Sequence, residues 1–173
     1  PRRRPAATCP QWWALPPRPR RLPPCPPSLR DPNRAVAELQ IAGATMSFRR
    51  RLLLENPFDE SLREYALGED RDMALRMGRM HWIARAVRAH AIHYHDPSGR
   101  TDRYVLGRMV ILNYWSIVSR HCGRDIGTRV VVLWSYLVLI LVRLAFAFGP
   151  SRRDHLRETA GMLRGLFDWI RYM

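Results

Sequence analysis

Gly68-Glu69-Asp70-Arg71-Asp72-Met73-Ala74-Leu75-Arg76 is the stretch on which the reading of this chain turns. Glu69, Asp70 and Asp72 crowd the first turn of a helical pattern that continues to about Met80, with Met73, Met77 and Met80 spaced for one face. Acids suit that place, because the free N–H groups and the macrodipole of a helix start favour negative charge. Asp72 also stands four residues before Arg76, the spacing of an intrahelical ion pair.

Upstream, Leu39-Gln40-Ile41-Ala42 reads as a short apolar strand ending at Gly43-Ala44. Thr45 to Arg51 leads into a short helix, Arg50 to Glu55, which Asn56-Pro57 stops. Phe58-Asp59-Glu60-Ser61-Leu62 follows as a loop with one buried aromatic. Downstream, Trp82 to Val87 reads as a second strand and Ala91 to His95 as a third, closed by Asp96-Pro97-Ser98-Gly99-Arg100. Residues 35–103 therefore read as an α/β block.

The order of these segments resembles the second half of the catalytic domain of family 2 glycosyltransferases, which have the Rossmann-like GT-A fold. The resemblance rests on Gly43-Ala44-Thr45-Met46-Ser47-Phe48-Arg49-Arg50, on Pro57 to Leu62, on Gly68 to Arg76, and on a histidine just before Pro97-Ser98-Gly99-Arg100. It implies an inverting transfer, in which an acceptor hydroxyl attacks the anomeric carbon of a nucleoside-diphosphate sugar. That hydroxyl needs a positioned base. The resemblance gives the role to Asp70, with Glu69 orienting the acceptor or tuning Asp70, since adjacent carboxylates disfavour each other's charge. Out of this context the same acids read as helix caps.

Gly43-Ala44 precedes the acceptor-side loop in that family, where a small residue lets substrate approach the backbone; an ordinary strand-to-helix turn has the same composition. Arg49 and Arg50 are suited to bidentate phosphate bonding, or to a solvated face. Asp70-Arg71-Asp72 formally spells DxD, the metal signature of these enzymes, but it opens a helix, whereas the family's DxD follows a strand of the nucleotide-binding half. No counterpart of that half lies in the 173 residues. The chain is thus expected to be the acceptor-side portion and to be inactive alone. The resemblance also assigns a histidine to a divalent metal, Mg²⁺ or Mn²⁺, or to the leaving diphosphate. His93 fits best and His95 is the alternative; a strand-end histidine bonded to solvent or backbone is the other reading. The metal site is incomplete without a DxD, since both ions take mostly oxygen ligands.

Residues 1–34 differ in kind: they hold 11 of the 14 prolines and eight arginines against one acid, Asp31. Proline fixes φ and removes donors, so neither a helix nor a central strand runs through them. They read as a disordered segment, a polyproline II linker or ligand, or an out-of-frame translation of GC-rich DNA. Trp12 to Leu15 is too short for a secretory apolar core. All 29 basic residues are arginine, which reads as the codon bias of a GC-rich coding sequence, so the net charge of +14 says less about a nucleic-acid partner than it would otherwise. Cys9, Cys25 and Cys122 have no metal-site or disulfide spacing.

Residues 104–173 read as helical and membrane-associated. Val130 to Gly149 is twenty residues with one charge, Arg143, which just spans a hydrocarbon core of roughly 30 Å. Arg143 is expected to snorkel. Tyr104 to Ser119 and the segment after Pro150 read as interfacial helices, and a single span and an in-plane hairpin both suit the pattern. A buried helix of a soluble protein passes the same test. Arginines on both flanks leave the orientation open; the resemblance implies a cytoplasmic active site at the cell membrane, with a glycan or a lipid-linked acceptor. The rival reading is a non-enzymatic, basic, membrane-anchored protein that binds anionic lipid or nucleic acid.

Overall fold

The computed structural model describes residues 26–29, 31, 33–38, 43–62, 66–92, 94, 101–149 and 151–171. Two strands, β1 (Ala35–Glu38) and β2 (Ile83–Ala86), form an antiparallel pair in which Val36 faces Arg85 and Glu38 faces Ile83. Arg85 reaches diagonally to Glu38 at 2.7 Å, the kind of cross-strand contact that holds a short ribbon in register. Five helices follow the chain: α1 (Arg50–Glu55), α2 (Glu69–Met77), α3 (Arg103–His121), α4 (Ile126–Phe146) and α5 (Arg152–Arg171).

The expected short helix at Arg50–Glu55 and the strand inside Trp82–Val87 are both present. The strand expected at Leu39–Ala42 lies outside the described residues; Ala35–Glu38, just before it, forms a strand that the sequence reading did not expect. Ala91, Ile92 and Tyr94 form no strand; Ile92 and Tyr94 are 79% and 83% exposed, with no strand beside them among the described residues. Helix α2 stops at Met77 rather than Met80, because Gly78 closes it and the chain turns. Met73 and Met77 are buried while Met80 is exposed.

The last three helices build the core. Helices α3 and α5 run parallel, shown by successive contacts of Tyr104 with Gly161, Arg108 with Gly165 and Trp115 with Trp169. Helix α4 returns antiparallel to α5, with Phe146 beside His155 and Tyr136 against Trp169. Glycines set the spacing of α3 and α5. A Cβ on Gly107 would collide with the carbonyl oxygen of Glu158, and one on Gly161 with that of Tyr104. The two backbones thus touch, as small residues four apart on a helix permit. Ile111, Tyr114, Val118, Val132, Tyr136, Ile140, Met162 and Trp169 fill the space between the helices, and the Tyr136 hydroxyl donates to the Ile111 carbonyl at 2.6 Å. The apolar side of α3, expected to face an interface, is therefore committed to this core.

Helix α4 is long and apolar enough to cross a membrane, and only 17% of its apolar window is buried. A soluble core helix is mostly covered; this one packs by the stripe Thr128, Val132, Tyr136 and Ile140 and presents the rest outward. Arg143 has a partner on α5. Its guanidinium meets Glu158, whose side chain is 2% exposed, at 2.8 Å across the α4–α5 contact.

Candidate functional site

Helix α2 begins where Gly68 turns the chain with φ of +93°, a conformation that costs an L side chain energy. A Cβ there would also lie 2.8 Å from Ile117 Cδ1 of α3, so the start of α2 is pressed close to α3. The Asn113 side-chain amide donates to the Leu67 carbonyl at 3.1 Å, and the Arg71 guanidinium stacks 5.7 Å from the Tyr114 ring centre. These contacts fix where Glu69 and Asp70 stand.

Asp70 is half-buried, and its Oδ2 accepts the backbone N–H of Gly43 at 3.1 Å, across 27 residues of sequence. Its other oxygen accepts the Arg71 N–H at 2.7 Å. A Cβ on Gly43 would stand 3.6 Å from the Asp70 side chain, ordinary contact. Two residues singled out from separate motifs, Gly43 and Asp70, are therefore brought together, with Ala44 and Glu69 as their immediate chain neighbours. Among the described residues Asp70 makes no ion pair. Its carboxylate is held by backbone N–H groups.

Arg49 stands elsewhere. It lines a shallow groove of about 340 Å³ with Arg51, Leu52, Glu55 and His81, and Asp70 is not among its walls. His93 and His95 lie outside the described residues. Among the described residues no three His, Cys, Asp or Glu side chains come together as metal ligands, so these residues do not by themselves fit a divalent-metal site.

Asp72, the second acid of the formal DxD, points away from any such role. It is fully buried. Its Oδ2 accepts from Arg76 Nε at 2.8 Å, the expected intrahelical pair, while Oδ1 accepts from Arg120 at 2.9 Å and meets His121 Nε2 at 3.0 Å. Arg79 donates to His121 Nδ1 at 3.0 Å, and because a guanidinium only donates, the ring proton sits on Nε2 and is given to Asp72. Burial pushes the Asp72 carboxyl up, but the His121 hydrogen bond and the charges of Arg76 and Arg120 outweigh it and hold the group below the usual carboxylate range. Arg120 also pairs with Asp59 at the loop before α2. One buried carboxylate thus locks α2, the Asp59 loop and the end of α3 together. Sequence reasoning found the Arg76 contact, which is local, and missed Arg79, Arg120, His121 and Asp59. The only trace they leave in the sequence is a basic last turn of α3, Arg120-His121.

No protein family, curated protein or solved structure matches the chain.

Proposed function

We propose that the chain is the acceptor-side part of an inverting, nucleotide-sugar-dependent glycosyltransferase of the GT-A type, attached to a membrane through its helical C-terminal region. One observation carries the catalytic reading: the 3.1 Å bond from Gly43 N–H to Asp70 Oδ2. It joins the start of the acceptor-side loop to the carboxylate that the resemblance names as base.

In this reading Asp70 accepts the proton of an acceptor hydroxyl as its oxygen bonds to the anomeric carbon. The bond from that carbon to the diphosphate breaks, and the electron pair leaves with the nucleoside diphosphate. The Gly43 N–H keeps the carboxylate aimed, the Gly68 turn sets its height on α2, and Glu69 lies beside the acceptor. The resemblance gives the donor sugar and its divalent metal to a half with no counterpart in this sequence, and His93 would be this chain's contribution to holding them. Exposed apolar surface on α4 supports placement against lipid, which suits a lipid-linked or exported glycan acceptor.

The test is transfer of labelled sugar from a panel of nucleoside-diphosphate sugars in membranes expressing the gene with its upstream DNA. Asp70→Asn is expected to lower turnover by about 10²–10⁴-fold, the usual share of a general base, with membrane attachment unchanged. Unchanged turnover would sink the assignment. The second reading, a basic membrane protein without enzymatic activity, is favoured by Arg152, Arg153 and Arg171, which form no ion pair among the described residues. It expects no transfer with any donor.

A further inference from the structure

We propose that the α3–α5 bundle lies along the surface of an anionic phospholipid bilayer, with α4 lengthwise in the interface and not across it. This rests on the membrane-attachment reading above and adds its geometry.

The apolar surface spans two helices. On α4, Val130, Trp134, Leu137 and Leu141 are 61%, 67%, 42% and 64% exposed. On α5, Leu163, Phe167 and Ile170 are more than half exposed and recur at helical spacing. By the 100° step of a helix they lie beside the α5 face that packs on α4, so the two apolar surfaces are continuous. Along the edge of the α5 strip runs a second row at spacings of four and seven: Arg153, Arg157, Arg164 and Arg171. An apolar strip bordered by arginines fits an interface in which hydrocarbon takes the strip and anionic headgroups take the row.

The packing disfavours a crossing. Tyr136, the middle of α4, stacks edge-on against Trp169 with ring centres 5.5 Å apart. The α5 residues next to Trp169 are therefore level with that midpoint. There Asp168 is held by Arg108 at 2.8 Å and Arg164 at 3.2 Å, and both arginines are about half exposed, at 45% and 54%. Were α4 perpendicular to the bilayer, this exposed ion cluster would sit at mid-depth, where charged groups are costly. With α4 in plane, Arg164 reaches the headgroups at the edge and the Arg108–Asp168 pair faces water. Arg143 has its charge matched by the buried Glu158 across the α4–α5 contact.

The experiment uses the full chain with its three cysteines changed to serine, added to preformed vesicles of phosphatidylglycerol and phosphatidylcholine. Single cysteines are placed at the flanks of α4, Arg124→Cys and Arg152→Cys. Flotation first reports attachment. A membrane-impermeant maleimide then reports sidedness before and after detergent. Flotation with both positions fully labelled before detergent is the expected result. Flotation with either position protected until lysis overturns the in-plane placement and leaves membrane attachment standing. No flotation overturns both. Arg153→Glu with Arg171→Glu is expected to weaken flotation on the phosphatidylglycerol vesicles by about 10-fold or more, each basic residue near an anionic surface being a several-fold effect. Equal binding to vesicles of phosphatidylcholine alone would overturn the role given to the arginine row.

Discussion

The helical region 103–171 and the block 35–92 are held together by different means. Three helices of 19, 21 and 20 residues share an apolar core, and two of them, α3 and α5, touch backbone to backbone at Gly107 and Gly161. The block has a two-stranded ribbon, a marginal element by itself, and a nine-residue helix whose buried face is Asp72, Met73, Ala74 and Met77. Much of what fixes that helix comes from α3: Ile117 against Gly68, Asn113 on Leu67, Arg120 and His121 on Asp72. The contrast teaches that the candidate base, Asp70, stands on a weak element made rigid by a strong one, an arrangement that keeps a site precise without a large core of its own.

The harshest way to break the comparison is to force the helices apart. Gly107→Val places a branched side chain where the Glu158 carbonyl lies. Overpacking usually costs about 1–3 kcal/mol and more where backbone must move, so loss of the folded bundle is expected, read as lost near-ultraviolet circular dichroism. Next comes Asp72→Ala, which removes the buried carboxylate from Arg76 and His121 and leaves Arg120 with Asp59 alone. Breaking a buried pair costs about 3–5 kcal/mol; Arg76 and Arg120 remain 23% and 37% exposed, so the low end of that range is expected in urea denaturation.

A smaller effect separates charge from packing. Because the Asp72 carboxyl is held below its ordinary value when folded, its contribution is complete above the unfolded carboxylate value of about 4 and is lost as pH falls below it toward the folded one. Asp72→Asn should therefore flatten the acid side of a stability-against-pH curve and lower the plateau near neutrality. An acid limb as steep as that of the unchanged protein would refute this account. The smallest expected change in stability is that of Asp70→Asn, within about 0.5 kcal/mol as for other substitutions away from a buried network, despite its large expected effect on transfer. A large loss of stability there would make Asp70 a structural cap and remove the distinction between the two acids.

Much of this was readable in the residues because it is local. Helical spacing marked α2 and α5, Asn56-Pro57 marked the end of α1, an apolar run marked α4, and Asp72 to Arg76 is a four-residue step on one helix. The Gly43–Asp70 contact was implied only by two motifs lying in a familiar order. What escaped depends on chain partners far apart. Arg120 and His121 sit 48 and 49 residues from Asp72, and nothing in a basic helix end says which acid it will meet. The strand Ala35–Glu38 also escaped, because Leu39-Gln40-Ile41-Ala42 is the more apolar run, while the pairing with β2 lets Glu38 reach Arg85. Gly161 and Gly165, four apart in an otherwise amphipathic helix, were the overlooked signal for close packing. The fate of Arg143 could not be read without knowing that Glu158 would face it.

The partner of α3 is not its neighbour in the chain but α5, with α4 between them. During synthesis at about 5–20 residues per second, the stretch from Tyr104 to its contact at Gly161 takes roughly 3–11 s to emerge. For that interval the glycine face of α3 is bare, and the most apolar segment of the chain leaves the ribosome before the helix that covers its inner stripe exists. Until α5 emerges the region is an unfinished hairpin, and that helix acts as the clasp.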